Sequence, residues 1–376
     1  MTRVSFTTSM LILNCFLRWS PSKRTLEEWT LGLGRDANIY MERRIAFEDD
    51  GDLLVIEVDG KATPTATEKE LEKRRGKRKK EKSCCQRHRG RGKRKKQKRK
   101  RRKKGDKSKN GRSITLVVMY TLKKGEDGLY HGPYNKVVWG SYAPRKVMLA
   151  WARKQATLRG FPPGTTKKVH IAIDGEKCLE KGLSTLFPDA SFVLDIRHLE
   201  EKIWTVGRSF YKEGSQELED WVESKRSLLY EGKVEQLIEE LKELQKTLSK
   251  RAKRDQDKYE KLQKLINYME PRISMMDYKN YIDNDYPIAS GIVEGAARYV
   301  IGERMDCSGM RWIPERAEAV LRLRCIELNG NWDDFFQWIF ERNKKKLMNE
   351  EKIIIRSSKP LNLLENINCE EVAMIS

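Results

Sequence analysis

No apolar run in this chain is long enough to cross a bilayer. The stretch at residues 10–17 (MLILNCFL) follows Arg3, yet it is too short to span, and no A-x-A-like cleavage site comes after it. A soluble protein is the expectation. Cysteine is sparse as well. The seven, at 15, 84, 85, 178, 307, 325 and 369, are odd in number and scattered, which argues against a disulfide framework and for a reducing compartment. Cys84, Cys85 and His88 invite a zinc reading, but no second ligand pair stands at finger-like spacing. Of the four histidines, His131 and His170 lack partners at ligand spacing and read as structural.

Positive charge is plentiful but local. The formal net charge is +22, yet residues 73–112 alone hold 25 basic and 2 acidic side chains, leaving the remainder near −1. Such a block is expected to be solvated, self-repelling and attracted to phosphate backbones, with no sequence specificity of its own. Its low complexity reads as a disordered or ligand-ordered excursion. With 376 residues, 38% of them hydrophobic, the rest suffices for a globular core.

Along the chain, residues 1–50 show weak patterning, with a short helix suggested over 26–33. Apolar runs at 53–59 (LLVIEVD), 169–174 (VHIAID) and 192–195 (FVLD) read as buried strands that stop on Asp59, Asp174 and Asp195. Residues 114–122 and 137–142 read as an antiparallel pair joined through KKGEDG. Helices are expected from Pro144 to Gly160, over KCLEKGLSTLF, and after Asp195. The element order is then β-ββ-α-β-α-β-α, an α/β fold in which the first, fourth and fifth strands run parallel side by side and the hairpin takes the other flank. Residues 215–270 have the pattern of an amphipathic helical hairpin, read as an exposed scaffold rather than a catalytic part. Pro287 and Ser290 set up the helix that carries Glu294, a further helix starts at Pro314, and a frayed terminus is expected from Lys344.

The strand-end aspartates are the candidate chemistry. Phosphodiester chemistry needs an activated water or 3′-hydroxyl, a stabilised leaving oxygen and neutralised charge around phosphorus, all of which two divalent ions about 3.5–4 Å apart supply. Hard oxygens from Asp59, Asp174 and Glu294 suit Mg²⁺ or Mn²⁺, and Gly291, Gly295, Ala296 and Ala297 permit close approach. Each residue also has a plain structural reading. Asp59-Gly60 and Asp174-Gly175 resemble ordinary turns, and Glu294 would complement a helix dipole or pair with Arg298. Asp195 and His198 form a DxxH in which His198 would orient a metal-bound water or a ligand carboxylate, unless Asp195 is only a helix cap.

At these residues the chain resembles bacterial insertion-sequence transposases of the DDE class, specifically the ISKra-type family related to the Mutator-like group. The stretches that carry the resemblance are VIEVDGKATPTA, RRKKGDKSKNGRSITLVVMYTL, AIDGEKCL, FPDASFVLDIRHLEEKIW, YPIASGIVEGAARYVIGERMDCSGMRW and AEAVLRLRCIELNGNWDDFF, covering most of residues 53–340. The resemblance implies an RNase H-like core in two parts, 51–214 and 271–343, split by a helical insertion at 215–270, with a short N-terminal remnant at 1–50 and a tail at 344–376. It implies Asp59, Asp174 and Glu294 as the metal-binding triad, and likens Asp195 with His198 to the [CD]xxH feature of Mutator-like enzymes. Arg311 of SGMRW would bind phosphate and Trp312 would stack on an unpaired base, the alternative for Trp312 being a core anchor. Arg298 and the run Arg99, Lys100, Arg101 and Arg102 join the DNA contacts. The partners implied are transposon terminal inverted repeats and target DNA, with a homodimer or higher oligomer on DNA in a bacterial, nucleoid-associated, cytoplasmic setting.

One departure stands out. The family has a longer N-terminal region for end recognition, so impaired recognition and a truncated reading frame are expected here. The rival readings are a non-enzymatic nucleic-acid-binding protein acting through its basic tract, a simple RNase H-like nuclease, and an inactive transposase remnant.

Overall fold

The computed structural model describes residues 5–17, 21–43, 47, 49–68, 111–249, 253–306 and 311–357. Residues 69–110 lie outside them, and with them Arg99, Lys100, Arg101, Arg102, Cys84, Cys85 and His88. Two compact units divide the chain, Met1–Gly330 and Asn331–Ser376.

The apolar runs become a five-stranded mixed sheet covered by helices, an α/β architecture. Its strands are β1 (Leu53–Pro64), β2 (Gly111–Lys124), β3 (Tyr130–Ser141), β4 (Lys168–Ile173) and β5 (Ser191–Leu194), in the order β3-β2-β1-β4-β5. β1 pairs antiparallel with β2 and parallel with β4, and β5 continues parallel beside β4. The parallel connections run through α3 (Arg145–Leu158) and α4 (Lys177–Leu186), as crossovers of that kind require. β1 does not stop on Asp59, however. It runs on to Pro64, because pairing with β2 through Pro64↔Gly111 holds the otherwise poor strand formers GKATP extended.

Both sheet edges are blunted by side chains that mimic a neighbouring strand. On β3, the Val138 N–H donates to Asn329 Oδ1 at 2.7 Å and Asn329 Nδ2 donates to the Val138 carbonyl at 3.0 Å. On β5, the Tyr278 and Tyr281 hydroxyls donate to the Leu194 and Phe192 carbonyls at 2.8 and 2.9 Å. Backbone groups that would otherwise template another chain are thereby satisfied.

Two N-terminal helices, α1 (Phe6–Leu17) and α2 (Lys23–Met41), precede the sheet. α2 is longer than the 26–33 helix expected; the Ser22 hydroxyl caps it, accepting from the Thr25 N–H at 3.1 Å. It lies against a helix at Pro314–Leu328, so close that a Cβ on Gly34 would come within 2.5 Å of the Ala319 Cα. Only glycine tolerates that approach.

After α5 (Ile196–Phe210) the segment expected as an exposed hairpin forms three helices, α6 (Gln216–Tyr230), α7 (Val234–Lys246) and α8 (Lys253–Met269). Their buried face is substantial. Leu218, Val222, Leu237, Leu241, Leu262 and Ile266 join Leu199, Ile203 and Val206 of α5 in one cluster. The end of α8 and the 3₁₀ turn Glu270–Met275 then reach the turn after β4. Tyr268 donates its hydroxyl to the Asp174 carbonyl at 2.8 Å, and buried Arg272 donates to Glu180 at 2.8 Å and to the Gly175 carbonyl at 2.9 Å. Gly175 has φ +79°, and a side chain there would also strike the Tyr268 ring at 2.6 Å.

The chain continues through α9 (Tyr278–Asp283), α10 (Gly291–Ala296), a π-helical turn at Ala297–Gly302 and α11 (Pro314–Leu328). The second unit contains α12, which runs from Trp332 to Ser357, so helix continues past Lys344 where a frayed terminus was expected.

Arg272→Ala strands the Glu180 carboxylate and two carbonyls. Chemical denaturation should show a loss of about 3 kcal/mol, the cost of breaking a buried ion pair. Arg24→Ala, which removes an exposed i,i+4 pair with Glu28, should leave the midpoint unchanged.

Candidate metal centre

Register brings the aspartates together. The β1–β4 ladder runs from Leu53↔Lys168 to Glu57↔Ala172, and continuing it two residues sets Asp59 opposite Asp174. The β4–β5 ladder ends at Ile173↔Leu194, and one more step sets Asp174 opposite Asp195, whose N–H donates to the Ile173 carbonyl at 2.8 Å. The register thus brings three aspartates, one on β1 and two just past the ends of β4 and β5, to neighbouring positions, with adjacent strands about 4.8 Å apart, and Asp59 feels the charge of Asp174. These positions lie at the carboxyl ends of β4 and β5, where open α/β sheets place their ligands.

Local bonds orient each side chain. Asp59 accepts from the Gly60 N–H, and Asp174 Oδ1 accepts from the Glu176 N–H at 2.9 Å. Among the described residues, neither has a protein hydrogen bond to its other oxygen. Burial first, and the Asp174 charge behind it, push the Asp59 carboxyl up, against the Gly60 N–H. Glu294 stands in the first turn of α10 and is half-exposed. Its carboxyl is also pushed up, by burial and then by the charge of Asp195, with His198 opposing. Asp59 contributes to the same upward push, so these acids share one electrostatic neighbourhood.

Asp195 is both cap and junction. Fully buried, its Oδ1 accepts from the Arg197 and His198 N–H groups at 2.7 and 3.3 Å, which caps α5. Its Oδ2 accepts from His198 Nδ1 at 3.3 Å, from the Ser290 N–H at 3.1 Å and from the Ser290 hydroxyl. Burial opposes the charge, but the bonds from His198 and Ser290 outweigh it and hold the carboxyl at about 2. Reciprocally, the bond to Asp195 raises His198 to about 9. His198 Nδ1 also lies 3.6 Å from Glu294 Oε1, so Glu294 faces this imidazolium rather than Arg298, the i,i+4 alternative.

Asp195, His198 and Glu294 bring one ligand atom each within 4.8 Å of one another, the one such group found among the described residues, and they could hold a metal ion. The donor chemistry weighs against Asp195 as a ligand, since both its oxygens are already occupied by hydrogen bonds. Asp59, Asp174 and Glu294 fit a hard cation better: each is oriented, each keeps an oxygen for a ligand, and two of them have carboxyls that a cation would relieve. Their ligand atoms are nevertheless not brought as close together as those of Asp195, His198 and Glu294.

One acid escaped the sequence reading. Glu57, fully buried on β1, accepts from the Tyr120 hydroxyl at 2.9 Å and from the Val293 N–H of α10 at 2.7 Å. Burial pushes it up to about 7. Its only signal was a glutamate inside LLVIEV. Ser290, expected to cap α10, gives its hydroxyl to Asp195 instead. His170 is structural as expected: buried, it bonds the Ser191 hydroxyl and the Pro287 carbonyl, each at 2.8 Å. That second bond anchors the approach to α10.

Arg298 is exposed. Arg311 and Trp312 sit beside the far end of β1, where the Ala66 N–H donates to the Trp312 carbonyl at 2.9 Å. The Arg304 guanidinium covers the half-buried Trp312 ring at 4.6 Å, so a stacked base would have to use the opposite face. Ser308 lies outside the described residues. No protein-family model and no curated protein matches this chain.

In the metal-free protein the His198 ring should titrate near 9 by NMR, and Asp195→Asn should bring it back toward 6.5. Because the folded value is raised, the stability this pair contributes is fully present below 6.5 and is lost as pH rises through 9. A ring that titrates near 6.5 in the parent would refute the arrangement.

Proposed function

We propose that the chain is a DDE-class DNA transposase of the ISKra type, with an RNase H-like core, that cleaves DNA at transposon ends and joins the freed 3′-hydroxyl to target DNA. The observation that carries this reading is the strand register that brings Asp59, Asp174 and Asp195 to neighbouring positions, with Glu294 of α10 within reach of their charges. The sheet order, with an antiparallel hairpin beside three parallel strands and a helical segment before the glutamate helix, is compatible with an RNase H-like core and supports this reading.

Asp59, Asp174 and Glu294 would hold the divalent ions, Mg²⁺ or Mn²⁺. When bound, such ions polarise phosphoryl oxygens and lower the pKa of the attacking water or 3′-hydroxyl. The chain's own residues supply placement and charge. The Gly60 and Glu176 N–H groups aim the two aspartates, and Asp195 fixes His198, which orients the Glu294 carboxylate. The basic block at 73–112 would hold DNA without regard to sequence, its affinity falling as salt rises. Two copies would act together on paired ends, an expectation by analogy. A binder acting through its basic block alone accounts for the charge but gives no reason for aligned aspartates.

The test uses duplexes from the DNA flanking the reading frame, one with a pre-cut 3′ end, and a supercoiled target plasmid. Strand transfer should require Mg²⁺ or Mn²⁺ and vanish in Asp59→Ala, Asp174→Ala and Glu294→Ala, while salt-sensitive DNA binding survives. His198→Ala should slow transfer about 10–100-fold, as loss of an orienting partner does. Cleavage without joining would identify a simple nuclease, and undiminished transfer by the three alanine variants would overturn the triad.

A further inference from the structure

Glu57 is a buried carboxyl group on the central strand of the sheet, flanked on both sides, and such a group is tolerated only when its hydrogen bonds are made. Both oxygens are used. Tyr120, diagonal to it on β2, fixes one and the Val293 N–H takes the other. Ala172, its ladder partner on β4, is small enough to leave room.

The Val293 bond matters because α10 has no cap of its own. Its first-turn N–H groups lack a partner from Ser290, and a short helix running into a π turn has little intrinsic stability. Its placement therefore comes from outside. Glu57 grips an N–H in the first turn, while buried Arg324 donates to the Val300 carbonyl at 3.1 Å and to the Tyr299 carbonyl in the π turn. Glu294 follows Val293 directly. Asp59 lies two residues beyond Glu57 on β1, and strand side chains alternate, so the clamp and the aspartate share a face.

We propose that Glu57 is a positioning residue for Glu294: it carries the register of β1 into the first turn of α10 and so sets the distance between Glu294 and Asp59. This rests on the metal-dependent reading above for its consequence, though not for its geometry. Glu57 is not itself a ligand, since it is fully buried and its two oxygens are committed.

The full chain is compared as parent, Glu57→Gln and Glu57→Leu by circular dichroism, by hydrogen exchange of residues 290–297, and by calorimetric titration with Mn²⁺ alone. Gln can still accept from Val293 and donate to Tyr120, so exchange and Mn²⁺ affinity should stay within about twofold of the parent; Leu should exchange about tenfold faster and bind Mn²⁺ about 10–100-fold more weakly. A folded Leu variant with parental exchange and affinity overturns the proposal. So does a Gln variant that loses as much as Leu, since charge would then be what counts. If Leu does not fold, Tyr120→Phe carries the test, with faster exchange at 290–297 expected and unchanged exchange overturning. A parent that binds no Mn²⁺ removes the metal reading alone, and the exchange comparison still decides for or against Glu57.

Discussion

Five carboxyl groups, Glu57, Asp59, Asp174, Asp195 and Glu294, are held around one end of the sheet, and the fold must pay for their mutual repulsion. Like charges in a partly buried space cannot all ionise freely. The structure answers unequally. Asp195 is surrounded by donors and a histidine and is held at about 2, whereas Glu57, with two hydrogen bonds and full burial, is raised to about 7. Asp59 and Glu294 are left raised and under-compensated. On the proposed reading, acids held by donors are structural and the raised, under-compensated ones are where a cation would bind.

That division needs rigid surroundings, and the helical segment before α10 provides much of them. Its far helices form a core with α5, but its exit touches the site at several points: Tyr268 and Arg272 at the Asp174 turn, Tyr278 and Tyr281 along the edge of β5. The Ile196 N–H donates to the Ile288 carbonyl, and His170 holds Pro287, so the path into α10 is stitched to β4 and α5 before Ser290 meets Asp195. An exposed scaffold would leave the strand ends alone. Here the segment fixes them.

The strands and their parallel neighbours were legible because apolar runs ending in Asp, the later two separated by a helical pattern, admit few arrangements. The DxxH was legible as a cap at short range. Its other half was not, since Ser290 meets Asp195 across 95 residues and nothing near Asp195 announces it. Glu57 was illegible for a different reason: a glutamate within an apolar strand reads equally as a solvent-facing position, and only β4 and α10 closing over it decide. The length of α2 was hidden by Gly32 and Gly34, which lower helix propensity; Gly34 is there for the close approach to Ala319. The extension of β1 through GKATP was imposed by β2 against local preference.

The site is accordingly a product of the whole first unit. The bond from Val293 to Glu57 joins residues 236 apart in sequence, and that from Ser290 to Asp195 joins residues 95 apart. Neither contact can form until β1, β4 and β5 are aligned, because the aspartates are neighbours only in that register. Contacts of this kind carry a larger loop-closure cost than those within the local helices or the β2–β3 hairpin. A slip of one residue between β1 and β4 would turn Asp59 to the opposite face from Glu294, so the grouping of these acids depends on register.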